Sequence, residues 1–236
     1  MHKVSISQSV VDRVVARRGR EHIFDDLVPS KTALVVVDMQ NGFMVPELGH
    51  AACKMAHEIV PNINRLAQAV RETGGAVVWI KTTYTPETLK EWSTYYELSS
   101  PEQGARRAQA LAAGSKGHEL WSELDARAGD LTVEKKRFSA FIQGSSNLAE
   151  VLRERGIDTV LITGTVTGVC CESTARDAMM CNFKTIMVTD GNAAMTDEDH
   201  NASLASFYLT FGDVMPTDTA IEFLRRNAGK GLAAAE

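Results

Sequence analysis

Three side chains have the types and placement for nucleophilic attack on a carbonyl carbon. Within TVLITGTVTGVCCESTARDAMM, residues 159–180, a β-branched apolar run enters a turn holding Gly164 and Gly168, and a helix is expected to begin at or near Cys170. A thiol in the first turn of a helix meets unpaired backbone N–H groups and the positive end of the peptide dipoles. That setting favours the thiolate and draws a cysteine pKa from about 8.5 toward roughly 3.5–7.5. The same N–H groups can hold an oxyanion. Asp38 closes the apolar run ALVVV at 33–37, where a carboxylate is costly unless paired or used. Lys135, in EKKRF, would add a cation that stabilises a thiolate. Blander roles compete: Cys170 and Cys171 as small buried hydrophobes, Asp38 as a helix cap, and Lys135 with Lys136 as solvated surface. Spacing alone leaves open which of the two adjacent cysteines faces the strand ends.

These residues act together only if the fold gathers them. Continuous apolar runs at 33–37, 76–80 (AVVWI), 131–133 (LTV), 159–163 (TVLIT) and 185–189 (TIMVT), with a short run around Val214, read as strands covered on both faces. Helical patterns lie between them. Residues 56–72 set Ile59, Ile63, Leu66 and Val70 on one stripe. Asn147 with Glu150 resembles a capping box, and Thr219 with Glu222 begins a C-terminal helix in the same way. The alternation predicts an α/β fold of three α-β-α layers, with a six-stranded, mostly parallel sheet, helices on both faces and right-handed crossovers. In such sheets the ligand site lies beyond the carboxyl ends of the strands. The candidates are therefore Asp38, Thr82 to Tyr84, Lys135, Thr165 to Cys170, and Asp190.

One domain is expected over 32–228, after an N-terminal arm over 1–31 and before a frayed tail at 229–236. The valines of SVVDRVVARR, 9–18, form a short amphipathic helix that packs on the body or on a neighbouring subunit. Residues 84–118 carry Tyr84, Trp92, Tyr95 and Tyr96 and are too long for a tight connection; they form either a lid-like insertion or a plain surface excursion. A net charge of -5 argues against a nucleic-acid partner. No stretch approaches the roughly 20 apolar residues of a membrane span, and no signal peptide is evident, so a cytoplasmic location is expected. Four cysteines in 236 residues fit a reducing compartment rather than a disulfide scaffold.

The segments ALVVVDMQNGF (33–43), EKKRFSAF (134–141) and ITGTVTGVCCESTARDA (162–178) resemble the isochorismatase-like cysteine hydrolases. That family includes nicotinamidases, N-carbamoylsarcosine amidohydrolases, ureidoacrylate amidohydrolases and biuret hydrolases. The resemblance runs from about Thr32 to Asp218. It implies a catalytic triad of Asp38, Lys135 and Cys170, with Cys170 the nucleophile after a G-x-x-T-x-x-C turn. It selects Lys135 over Lys136, because the family lysine stands four residues before the serine of S-A-F, here Ser139. It also implies a cis bond between Thr165 and Val166, and an oxyanion hole from the backbone N–H groups of Val166 and Cys170. Cys171 stands where the family usually has valine, and Gly168 where asparagine is common.

The context looks nearest to hydrolases of ureidoacrylate, biuret, triuret and N-carbamoyl amino acids. This implies hydrolysis of a small linear amide or ureido compound through a thioester, releasing ammonia or an amine. Phe43, Tyr84 and Thr165 are the expected substrate-binding residues. Metal-dependent members carry D-W-H-P-x-x-H after the second strand; the matching stretch here, KTTYTPETLKEW, has no histidine, and the six histidines show no ligand spacing. No metal and no cofactor are expected, and His118 beside Gly117 reads as a surface residue. The resemblance also implies a homo-oligomer, a dimer or tetramer. Rival readings are a catalytically silent binding module, a nicotinamidase, and a cysteine phosphatase suggested by C-x5-R from Cys170 to Arg176, whose interior lacks glycine.

Overall fold

A computed structural model describes residues 1–49 and 52–228, and each apolar run in it is a strand. The strands β1 (Thr32–Val37), β2 (Ala76–Thr82), β3 (Leu131–Lys135), β4 (Thr159–Thr165), β5 (Lys184–Ala193) and β6 (Asp213–Met215) form one sheet in the order β3-β2-β1-β4-β5-β6. Every pairing is parallel. The helices are α1 (Gln8–Arg18), α2 (Asn41–Met44), α3 (Ala56–Glu72), α4 (Pro86–Glu91), α5 (Ser93–Glu97), α6 (Pro101–Ala110), α7 (Leu148–Glu154), α8 (Glu172–Met180), α9 (Asp197–Thr210) and α10 (Thr217–Arg226).

β1 lies inside the sheet, and all six of its residues are buried, which is why its sequence is apolar without alternation. Its Leu34 and Val36 join one core layer with Ile59, Ile63, Leu66 and Val70 of α3 and Leu224 of α10. Ala33, Val35 and Val37 join the other, with Leu148 and Leu152 of α7, Ala175 of α8 and Phe207 of α9. Each such Val, Leu, Ile or Phe contributes about 1.5–3 kcal/mol by leaving water. These two layers hold the carboxyl ends of the strands in fixed register, and that register positions the site.

Several boundaries differ from those read in the sequence. α10 starts at Thr217 rather than Thr219, because the Asp190 carboxylate accepts from both the Thr217 N–H and hydroxyl at 2.7 Å. Asp190 is thus committed to a helix terminus and not to the site. At α7 the Asn147 side chain makes no cap; the Ser146 hydroxyl accepts from the Leu148 N–H at 3.1 Å instead. β5 runs on to Ala193, through a register shift against β4 between Ile162 and Gly164.

The N-terminal segment lies on the body of its own chain. Val14 of α1 is buried against the layer that contains α9, and the Arg18 guanidinium donates to the carbonyls of Tyr208 and Gly212. Residues 84–118 hold α4, α5 and α6 and a 3-10 turn at Lys116–His118, with Tyr84 and Leu111 bonded at the base (N···O 3.0 Å). Residues 229–236, expected as a frayed tail, lie outside the described residues. Among the described residues no helix is long and apolar enough to cross a membrane.

Candidate active site

The strand order reverses at β1, which has β2 on one side and β4 on the other, so the connections leaving β1 and β4 part and open a crevice at their carboxyl ends. Two backbone features shape its floor. Asp38, directly after β1, has φ 55°, a left-handed conformation that Asp tolerates better than most residues, and it turns the carboxylate toward β2 and β3. Gly164 in β4 has φ 118°, and a Cβ there would stand 2.0 Å from the Val37 carbonyl oxygen, so only glycine lets β4 approach β1 this closely. The Thr165–Val166 peptide bond is cis.

Asp38 and Lys135 form an ion pair, Oδ2 to Nζ 2.8 Å, with neither residue exposed to solvent. A buried pair of this kind is tolerable only when its other donors and acceptors are filled. Thr82, at the end of β2 and in register with Lys135, does much of this: its hydroxyl accepts from Lys135 Nζ (2.6 Å) and donates to Asp38 Oδ1 (2.8 Å). The carbonyl of Arg137 also accepts from Nζ at 3.0 Å, so the Lys135 ammonium has three oxygens within 3.0 Å. Gln40 then fixes Thr82 itself, accepting from the Thr82 N–H (2.7 Å) and donating to its carbonyl (3.1 Å).

Cys170 lies in a π-helical turn, Thr167–Cys171, that leads into α8. Its thiol reaches both the Asp38 carboxylate and the Lys135 ammonium. Burial pushes the thiol pKa well up and the Asp38 charge adds to this, while Lys135 opposes without overcoming them. The resting group is therefore a neutral thiol. The thiol pKa lies above the ordinary value, not in the depressed range expected for a helix start, and desolvation is the largest cause. For Lys135 burial acts to lower the pKa, but the Asp38 charge opposes it, and the pKa is raised so that the ammonium is held charged.

Above the thiol is a cavity of about 760 Å³. Its lining includes Phe43, Tyr84, Tyr95, Arg107, Phe138, Val166, Val169, Cys170, Glu172 and Ser203. The insertion is held over the cavity by aromatic packing: Trp92 stacks on Tyr95 (centroids 4.1 Å apart), and both meet the Phe138 ring edge-on at 4.9 and 5.0 Å. Burial raises the Tyr84 phenol strongly, so it is a neutral polar group in an apolar wall.

Residues 32–219 match the family described as the Isochorismatase domain. The chain belongs to the isochorismatase family. A ureidoacrylate amidohydrolase (RutB) from Pseudomonas savastanoi pv. phaseolicola is 30% identical over 203 residues, covering 80% of this chain and 82% of that protein. A solved cysteine hydrolase from Pseudomonas syringae pv. phaseolicola 1448A superposes with a TM-score of 0.77 at 30% identity, covering 86% of this chain and 96% of that one. An N-carbamoylsarcosine amidase from Thermoplasma acidophilum gives a TM-score of 0.63 at 29% identity, covering 80% and 97%. The six-stranded parallel sheet with helices on both sides is the fold of these isochorismatase-like hydrolases.

Within this isochorismatase-family site the residues singled out in the sequence fall into three groups. Asp38, Lys135 and Cys170 come together, and Phe43 and Tyr84 line the cavity above them. Thr165 does not line it. Its side chain lies on the other side of β4 against Cys53, because the strand's alternation carries through to its last residue. Cys171 is also turned inward, its thiol toward the Thr163 carbonyl. His118 is buried rather than on the surface, its Nε2 2.7 Å from the Thr83 hydroxyl, and burial lowers its pKa. Arg176, the end of the C-x5-R spacing, pairs with Glu172 and contacts the Ser206 hydroxyl, so it does not close a loop around the thiol. Among the described residues no group of three or more His, Cys, Asp or Glu side chains is arranged to hold a metal ion.

The sequence reading missed the clamp role of Gln40, the bridging role of Thr82, and Tyr95 and Arg107 as cavity lining. A signal existed for Gln40 and Thr82, since both are polar groups at the ends of strands buried on both faces. None existed for Arg107, which looks like any basic residue of a polar helix.

Proposed function

We propose that the chain is a cysteine-dependent amidohydrolase that cleaves a carbon–nitrogen bond of a small linear amide or ureido compound. One observation carries the reading: a buried thiol, carboxylate and ammonium from three separate strand ends meet under a cavity large enough for such a substrate. The relatives named as ureidoacrylate amidohydrolase and N-carbamoylsarcosine amidase support the choice of bond.

The chemistry follows from the resting charges. The Asp38 carboxylate is paired to Lys135 and burial keeps Cys170 a thiol, so the first step moves the thiol proton to that carboxylate as sulfur attacks the substrate carbonyl. Lys135 remains charged and offsets the negative charge that passes from carboxylate to sulfur to oxyanion. The oxyanion is received by the backbone N–H groups of Val166 and Cys170. Collapse breaks the C–N bond, and the proton held by Asp38 goes to the departing nitrogen as ammonia or amine. A water molecule, deprotonated by the same carboxylate, attacks the thioester; the sulfur leaves and recovers its proton. We place this enzyme in the cytoplasm as a homo-oligomer that needs no cofactor.

The test is an ammonia-release screen over ureidoacrylate, biuret, triuret, N-carbamoyl amino acids, maleamate and nicotinamide, with Cys170→Ser beside the wild type. Turnover of a ureido compound that vanishes in Cys170→Ser is the expected result. Full turnover in that variant would refute the reading, and no turnover of any amide would favour a silent binding module.

A further inference from the structure

Arg107 stands apart from the other arginines of the interior. Arg71 is paired with Asp125 and Asp130, Arg176 with Glu172, and Arg137 with Glu91. Among the described residues Arg107, on α6 of the insertion, finds no ion pair and no side-chain hydrogen bond, although its Nε and Nη1 are shielded from water. Its guanidinium instead lies over the rings of Tyr95, 4.3 Å from the centroid, and Tyr96, at 6.0 Å. Ring faces support the cation but accept none of its N–H groups, which point outward in the guanidinium plane. Shielded donors left without acceptors are unfavourable unless something completes them.

The two carboxylates that line the cavity have partners other than Arg107. Glu172 is held by Arg176 and by the Ser203 hydroxyl, and Asp199 accepts from the Thr196 hydroxyl at the start of α9. Arg107 lines the same cavity as Cys170. A planar fork of donors on a fixed aromatic support matches a carboxylate, which accepts two parallel N–H bonds.

Resting on the amidohydrolase reading, we infer that Arg107 is a specificity-determining residue that binds a carboxylate of the substrate, so that the preferred substrate is an anionic ureido or amido acid rather than a neutral ureide. The scissile carbonyl sits at Cys170 and the carboxylate at Arg107. A neutral ureide would leave the guanidinium donors unmet, and the site would discriminate against it.

The experiment uses the full chain and two probes of equal shape, 3-ureidopropanoate and 3-methylbutylurea, in which an isopropyl group replaces the carboxylate. The wild type is expected to favour the acid. In Arg107→Gln the ratio of kcat/KM for acid over neutral urea should fall roughly ten- to a hundredfold, mainly through KM, and Arg107→Lys should recover part of it. A packing role on Tyr95 would lower both substrates alike, and that result would overturn the inference. Binding is read separately by calorimetry on Cys170→Ala, which needs no turnover. Binding of the acid that is lost in Cys170→Ala/Arg107→Gln sustains the carboxylate site even if the amidohydrolase reading fails. Equal binding of both probes, or no Arg107-dependent binding of the acid, overturns it whatever the reaction.

Discussion

Replacing Thr82 by valine keeps the outline of the side chain and removes the one hydroxyl that both accepts from Lys135 (2.6 Å) and donates to Asp38 (2.8 Å). Neither charged partner has any solvent exposure, so bulk water does not replace the lost oxygen. A hydrogen bond to a charged group contributes about 1.5–3 kcal/mol. Lys135 keeps Asp38 and the Arg137 carbonyl, and the two lost bonds share one oxygen, so the expected destabilisation is about 2–4 kcal/mol rather than a full sum. The effect on catalysis arises separately. Asp38 Oδ1 loses the contact that orients the carboxylate toward the thiol, and kcat should fall roughly 10- to 100-fold. Urea unfolding measures the first effect and ammonia release the second, and Thr82→Ser, which keeps the hydroxyl, should restore most of both. A Thr82→Val protein within about 0.5 kcal/mol of wild type and with undiminished kcat would refute the argument that this hydroxyl holds the pair together.

Two other perturbations follow from the geometry. Gly164→Ala would force a Cβ to within 2.0 Å of the Val37 carbonyl at a φ of 118°; loss of soluble folded protein, or a destabilisation above about 4 kcal/mol by circular dichroism, is expected, and an unchanged melting curve would contradict it. His200 is buried with Nδ1 at the Thr167 hydroxyl and Nε2 at the Thr189 carbonyl, and desolvation followed by the nearby His2 lowers its pKa to about 4. The unfolded imidazole binds its proton near pH 6.5, so this group's contribution is intact above that value. It is lost as pH falls from there toward 4, to a limit of roughly 3 kcal/mol. The stability difference between wild type and His200→Gln should shrink over that interval in urea titrations, and a constant difference would remove His200 as the cause.

The fold was legible because a sheet buried on both faces leaves an unmistakable trace: uninterrupted runs such as ALVVV and TVLIT separated by helical patterns. The neighbourhoods of Asp38, Lys135 and Cys170 were legible for the same reason, as charged or reactive residues where such runs stop, but only the family resemblance separated Lys135 from Lys136 and Cys170 from Cys171. Features governed by tertiary packing left no local trace. Thr165 is a strand-end residue like Asp38, yet it faces away because Asp38 has turned out of the strand and Thr165 has not. The direction of the Cys170 pKa required knowing that the thiol is buried, not merely that a helix starts nearby. Residues 84–118 fold into three short helices whose placement depends on Trp92 and Tyr95 meeting Phe138. That placement brings Arg107 to the cavity, and neither its sequence neighbours nor its spacing signals it.

The central claim is that Cys170 forms a covalent acyl bond to sulfur during turnover. An acid quench of the working enzyme, followed by peptide mass mapping, tests it most directly. The mass of the acyl group is expected on the peptide bearing Cys170, appearing within one turnover and absent from Cys170→Ser. Turnover that proceeds with Cys170 never modified, or that persists in Cys170→Ser, would contradict it.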